Sequence, residues 1–225
     1  MALERMGKNQ TALMMTHSTR PSRLICIVGT HTDVGKTWCG VQLLNHARRS
    51  RLRVAARKPV QSFDNSHMNT DAAELARASG EQPNDVCPPH RSYAVALAPP
   101  MAADVLRRPA IALEELIAEI RWPEHIDFGL LKTAGGLRSP IAHDGDCVDL
   151  VQRLSPDAIV LVADAGLGTL NATRLSLACL SPATATVFLN RYEPHSELHQ
   201  LNRRWLSQRY GLRVTVTIDD LFAHL

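Results

Sequence analysis

Short apolar runs and longer stretches of helical spacing take turns along this sequence. Leu24–Val28 is an apolar run that stops at Gly29, and Lys36–Arg49, which follows at once, carries its apolar residues at helical spacing. Val54–Lys58 is a second run, ended by Pro59. Thr70–Ser79 has Asp71 and Glu74 early and Gly80 just past its end, as a helix with an acidic first turn and a glycine stop should. Proline-rich loops bracket Pro88–Pro100, with helices predicted near Met101–Leu106 and over Leu113–Ile120. Phe128–Leu131 reads as a strand, Val148–Leu154 as a helix, Ala158–Val162 as a β-branched strand and Asn171–Leu180 as a helix. Thr184–Leu189 reads as a strand, Glu197–Tyr210 as an amphipathic helix and Leu212–Ile218 as the last strand. Alternation of this kind predicts an α/β fold, a doubly wound and mostly parallel sheet with helices on both faces.

A length of 225 residues suits one such domain and is enough to bury a core. Residues 23–225 are read as that domain. Residues 1–22 lack the apolar centre of a signal peptide and read as a polar, disordered extension, with Met14 or Met15 as alternative starts. A net charge of +3 is too small to argue for nucleic acid, and 4% aromatic residues leave no base-stacking platform. No apolar run is long enough to span a bilayer. Five scattered cysteines without a CxxC pair point to a reduced, cytoplasmic protein.

The chemistry concentrates in Gly29-Thr30-His31-Thr32-Asp33-Val34-Gly35-Lys36-Thr37, which lies between a predicted strand and a predicted helix. That is the context of a P-loop, in which backbone N–H groups and a helix N-terminus bind phosphate oxygens. Lys36 is placed to reach the β- and γ-phosphates, and the Thr37 hydroxyl to ligate Mg²⁺. The loop has five residues between its glycines where the general pattern has four, so it is a stretched variant of the P-loop NTPase type. A nucleoside triphosphate follows as substrate. His31 sits at a variable loop position and is read as exposed. His195 and His199, four apart on a predicted helix, have no third ligand in sight and are read as a polar face.

This loop, followed by Lys58-Pro59-Val60, resembles that of the dethiobiotin synthetases. So do Asn69-Thr70-Asp71-Ala72, Tyr93 with Ala98-Pro99, Ala134-Gly135-Gly136, Leu167-Gly168-Thr169-Leu170-Asn171 and Asn190, in that order. The resemblance runs from about Leu24 to Asn190 and fades at Gly211-Leu212-Arg213-Val214. It implies a homodimer that uses ATP and Mg²⁺ to close the ureido ring of dethiobiotin from 7,8-diaminononanoate and CO₂ through a phosphorylated carbamate. It also implies roles. Lys36, Lys58, Thr32, Asp33 and Ser62 surround the reacting carbamate and γ-phosphate, Thr37 and Asp71 hold Mg²⁺, and Asn190 contacts the base. Gly168, Thr169, Leu170 and Asn171 open a helix whose N–H groups bind the substrate carboxylate, across the dimer interface.

The sequence departs from the family at its Glu-Gly-Ala-Gly-Gly motif. The metal-binding glutamate aligns with Lys132 and the first glycine with Thr133; only Ala134, Gly135 and Gly136 match. Phe63 also replaces a glycine after Ser62. At ~4 Å, two unit charges interact by roughly 4 kcal/mol at an effective dielectric of about 20, so a reversed charge beside Mg²⁺ and triphosphate is not a mild change. Three outcomes stay open for Lys132: direct binding of the γ-phosphate in partial replacement of the metal's charge, lost catalysis, or a changed substrate. A partitioning-type or amidotransferase-like ATPase is the third reading; the Lys-Pro-Val segment, the Asp71 spacing and the chain length speak against it. The base-reading region is the least family-like, so which nucleoside triphosphate is preferred stays open.

Overall fold

The computed structural model describes residues 20–64, 66, 69–180 and 185–225. The predicted extension therefore lies outside the described residues except for its last three positions, as does Thr184, the predicted start of a strand. In chain order the elements are β1 (Arg23–Gly29), α1 (Lys36–Arg49), β2 (Val54–Arg57), β3 (Gln61–Ser62), α2 (Asp71–Ser79), α3 (Pro83–Val86), β4 (Ser92–Tyr93), α4 (Pro99–Val105) and α5 (Leu113–Glu119). There follow β5 (Phe128–Lys132), β6 (Pro140–Ala142), β7 (Gly145–Asp146), α6 (Cys147–Leu154), β8 (Ala158–Asp164), α7 (Thr169–Leu177), β9 (Ala185–Asn190), α8 (Glu197–Arg204), β10 (Val214–Thr215) and α9 (Ile218–Ala223).

Six strands form one parallel sheet in the order β10-β9-β8-β1-β5-β2, the predicted architecture. β1 lies inside it, paired with β5 and β8, which is why Leu24–Val28 is apolar at every position rather than at alternate ones. Its side chains still alternate between faces. Cys26 and Val28 join Leu131, Leu161 and Leu189 under α4, α5 and α6. Ile25 and Ile27 join Leu130, Val160 and Phe188 under α1, α2 and α9. Leu130 is fully buried in the second layer. Leu130→Ala is expected to cost about 2–5 kcal/mol, read as a shift of the denaturation midpoint; a loss well below that range would show that this layer is loosely packed.

The differences from the predicted elements have local causes. α4 opens on Pro99 and Pro100 themselves, since proline fits the first turn, where its missing N–H has no partner to lose. α7 begins at Thr169, two residues early, because Gly168 takes a left-handed conformation at φ 90° and starts the turn. α8 ends as an α-helix at Arg204 and continues as a wider π-turn over Trp205–Arg209. His195 lies before the Ser196 cap, so the two histidines do not share the helix. The last strand stops at Thr215; Thr217 caps a new helix by accepting from the N–H of Asp220, so Ile218 is helical. No helix among the described residues is long and apolar enough to cross a membrane.

Parallel strands end at the same edge of a sheet, and ligands bind there. At this edge lie Gly29 at the end of β1, Lys58 after β2, Lys132 at the end of β5 and Asn190 at the end of β9.

Candidate active site

The loop from Gly29 to Thr37 turns from β1 into α1. Gly35 has φ 94°, and a Cβ there would come within 2.0 Å of the Asn190 Nδ2, so both conformation and space demand glycine. Asn190 is the reason for the crowding: its Nδ2 donates to the Val34 carbonyl at 2.9 Å. It braces the loop. Lys36 curls back over the loop, its Nζ donating to the His31 carbonyl at 2.7 Å. A Cβ at Gly29 would meet Lys36 Cδ at 2.9 Å, so the glycine makes room for the lysine stem. Val34 is buried, whereas Thr32 and Asp33 are exposed toward the cleft and His31 is exposed as predicted. Thr30 is anchored through its N–H to the Val162 carbonyl at 3.0 Å.

Beside the loop sits a charge cluster centred on Asp71, the first residue of α2. Its Oδ1 accepts from the Thr37 hydroxyl. Its Oδ2 accepts from Lys132 Nζ at 2.6 Å and lies 3.0 Å from Lys58 Nζ. Lys58 and Lys132 are 1% and 4% exposed, and Lys36 5%. Burial and the Lys58 charge lower Lys132 to about 7, and the same two causes lower Lys36 to about 8. Burial also opposes charge on Lys58, but Asp71 outweighs it and raises the ammonium above its usual value. Burial disfavours the Asp71 carboxylate, yet Lys58 and Lys132 hold it far below the carboxylate range. Three buried ammonium groups against this carboxylate leave repulsion that a polyanion would relieve.

These groups line a cleft of about 890 Å³ together with Thr32, Asp33, Gly35, Thr37, Ser62, Ala134 and Gly135. Ser62 sits on its wall with its hydroxyl donating to the Leu97 carbonyl, so it ties down the segment before α4. Thr133 is turned away: its Oγ1 donates to the Ile27 carbonyl at 3.1 Å and its side chain is buried. Gly136 packs against the Thr30 carbonyl, outside the cleft lining. Gly168, Thr169, Leu170 and Asn171 do not reach the cleft of their own chain. Among the described residues no group of three or more His, Cys, Asp or Glu is placed to hold a metal.

Two positioning residues carried no signal in the sequence. Arg191 pairs with Asp164 at 2.9 Å and donates through Nη2 to the Asp33 carbonyl at 2.7 Å, clamping the loop from the end of β9. Gln61 accepts from the Ala72 N–H at 3.1 Å and donates to Ser92 Oγ at 2.9 Å, which fixes the start of α2 and hence Asp71. Both are single polar residues whose partners lie far along the chain, so spacing could not reveal them.

A family model described as an AAA domain matches residues 23–220. An ATP-dependent dethiobiotin synthetase BioD of Haloferax mediterranei is 35% identical over 193 residues, covering 84% of this chain and 80% of the relative. The one of Caulobacter vibrioides is 40% identical over 150 residues, covering 64% of this chain and 67% of the relative. Among solved structures, a putative plasmid partition protein of Borrelia burgdorferi bound to AMPPNP gives a TM-score of 0.53 at 13% identity, with 90% of each chain covered. The signal recognition particle receptor FtsY of Elizabethkingia anophelis gives 0.52 at 15% identity, over 90% of this chain and 62% of that one. These two show the fold, a parallel α/β sheet of the P-loop NTPase type. The family model and the relatives show that the chain belongs to the AAA domain family so matched and to the dethiobiotin synthetase family.

Proposed function

We propose that this protein is an ATP-dependent dethiobiotin synthetase, a ligase forming carbon–nitrogen bonds in biotin biosynthesis. The observation that carries the reading is the convergence of Lys36, Thr37, Lys58 and Asp71 on one cleft beside a P-loop. In the proposed reaction one amine of 7,8-diaminononanoate captures CO₂ as a carbamate. A carbamate oxygen then attacks the γ-phosphorus of ATP and ADP leaves. The second amine attacks the carbamoyl carbon, the ring closes, and inorganic phosphate departs.

Lys36 and the N–H groups of the loop hold the β- and γ-phosphates. Lys58, a compact point charge in a dry site, neutralises the carbamate oxygen and holds it in line. Thr32, Asp33 and Ser62 shape the side of the cleft where the diamine enters. The base is placed toward the end of β9, where Asn190 braces the phosphate loop. The oxygens nearest the loop for the Mg²⁺ of ATP are Thr37 Oγ1 and Asp71 Oδ1, but they are hydrogen-bonded to each other and Asp71 Oδ2 already faces Lys132 and Lys58, so as placed they fit a divalent ion poorly.

We further propose a homodimer in which the start of α7 serves the partner's cleft. Two observations support this. Leu167, before the turn, and Leu175, within α7, are 92% and 64% exposed. The loop before α7 is absent from its own chain's cleft. The five free cysteines, four of them buried, suit the reducing cytoplasm.

Purified protein given diaminononanoate, bicarbonate, Mg²⁺ and ATP is expected to form dethiobiotin, measured by mass spectrometry. ATP binding without dethiobiotin would overturn the synthetase reading and favour a relative that has lost or changed its chemistry.

A further inference from the structure

We infer that Lys132 is a tethered cation that does the work of a metal contact at Asp71, so that the cleft binds a nucleoside triphosphate with little dependence on divalent metal. The inference rests on the P-loop part of the proposed function and not on the identity of the amine substrate.

The placement of Lys132 is dictated by topology. β5 runs between β1 and β2, so its last side chain emerges at the sheet edge between the phosphate loop and Lys58. There its Nζ makes the shorter of the two ammonium contacts to Asp71 Oδ2, 2.6 Å against 3.0 Å for Lys58. The other oxygen, Oδ1, is taken by the Thr37 hydroxyl. Both oxygens of the best-placed carboxylate are thus engaged before any metal arrives, one of them by two cations. A divalent ion at this carboxylate adds a dication beside two fixed ammonium groups and gains correspondingly little.

The same arrangement provides for the triphosphate. Lys132 is already removed from water by the fold, so moving its ammonium from Asp71 to a phosphate oxygen exchanges one dry anionic partner for another without a fresh desolvation penalty. Lys36 and Lys58 stand beside it in the same cleft. The charge that an ion would bring with the nucleotide is therefore built into the chain. A purely structural lysine, locking Asp71 in place, would leave the metal dependence of nucleotide binding where it is in the absence of that lysine.

Calorimetric titration of the full chain with a non-hydrolysable ATP analogue, in Mg²⁺ and in EDTA, separates the two. For the wild type the affinities in the two conditions are expected to agree within about threefold, a weak coupling between metal and nucleotide. Lys132→Met and Lys132→Gln are both expected to lose about tenfold or more in EDTA and much less in Mg²⁺, and Lys132→Glu to be the most metal-dependent. A wild type that loses about tenfold or more in EDTA would overturn the inference, as would variants that keep the wild-type ratio. Should the variants fail to fold, by circular dichroism, the wild-type ratio alone decides. Absence of binding in both conditions would sink the inference together with the P-loop reading. Metal-independent binding in a protein that forms no dethiobiotin would uphold the inference and remove only the synthetase reading.

Discussion

Replacing Lys36 by alanine is expected to abolish nucleotide turnover, lowering the rate by about 10³-fold or more, at least roughly 4 kcal/mol of transition-state stabilisation. The magnitude follows from where the ammonium stands. It is 5% exposed, it lies over the loop at 2.7 Å from the His31 carbonyl, and its stem fills the space left by Gly29. Charge that develops on the transferring phosphoryl group would meet this ammonium in a water-poor site, where the interaction is stronger than in bulk solvent. Alanine leaves the backbone N–H groups of the loop in place, so some nucleotide binding should survive while turnover does not. Phosphate release measured at saturating ATP checks this. Turnover within tenfold of the wild type would show that Gly29–Thr37 is not the catalytic phosphate loop.

Asp71→Asn is expected to produce the largest loss of stability among the site variants. The substitution leaves Lys58 and Lys132 buried without their shared counter-charge. Breaking a fully buried pair costs about 3–5 kcal/mol. The Asp71 side chain is 31% exposed through the cleft, so a loss of roughly 2–3 kcal/mol is expected, or about 4–12 °C in melting temperature for a chain of this size. Added ATP analogue should restore more stability to the variant than it adds to the wild type, because its phosphates give the two ammonium groups new anionic partners. Thermal melts with and without the analogue provide the measurement. A variant as stable as the wild type would mean that the two lysines do not depend on this carboxylate.

The two variants bear on different parts of one construction. Lys36 belongs to a loop whose parts are neighbours in sequence. Asp71, Lys58 and Lys132 come from three separate elements and meet only because β2 and β5 are adjacent and α2 starts beside them. The same division explains the departures seen around the site. Thr133 follows Lys132 directly, yet it hydrogen-bonds to β1 and faces away from the cleft, because successive side chains leave a strand on opposite sides. Asn190, at the end of β9, donates through Nδ2 to the Val34 carbonyl because the strand order brings β9 close to the loop.

What the sequence determined by itself is the local machinery. The α1 boundaries, Lys36–Arg49, coincide with the helical spacing. The β1 run, the Gly-rich turn and the Lys-Thr start of the helix follow from residues within a few positions of each other, whose backbone preferences and N–H groups act without help from distant chain. The parallel class of the sheet was legible for the same reason, as apolar runs alternating with helices. What only the tertiary structure decided is how charges pair. Lys132 and Asp71 are 61 residues apart and Arg191 and Asp33 are 158 apart. Coulomb energy depends on distance and on local dielectric, and neither is defined until the strand order places β5 next to β2 and β9 near the loop. The sequence therefore shows a lysine where the family has a glutamate, and the fold shows what that lysine holds.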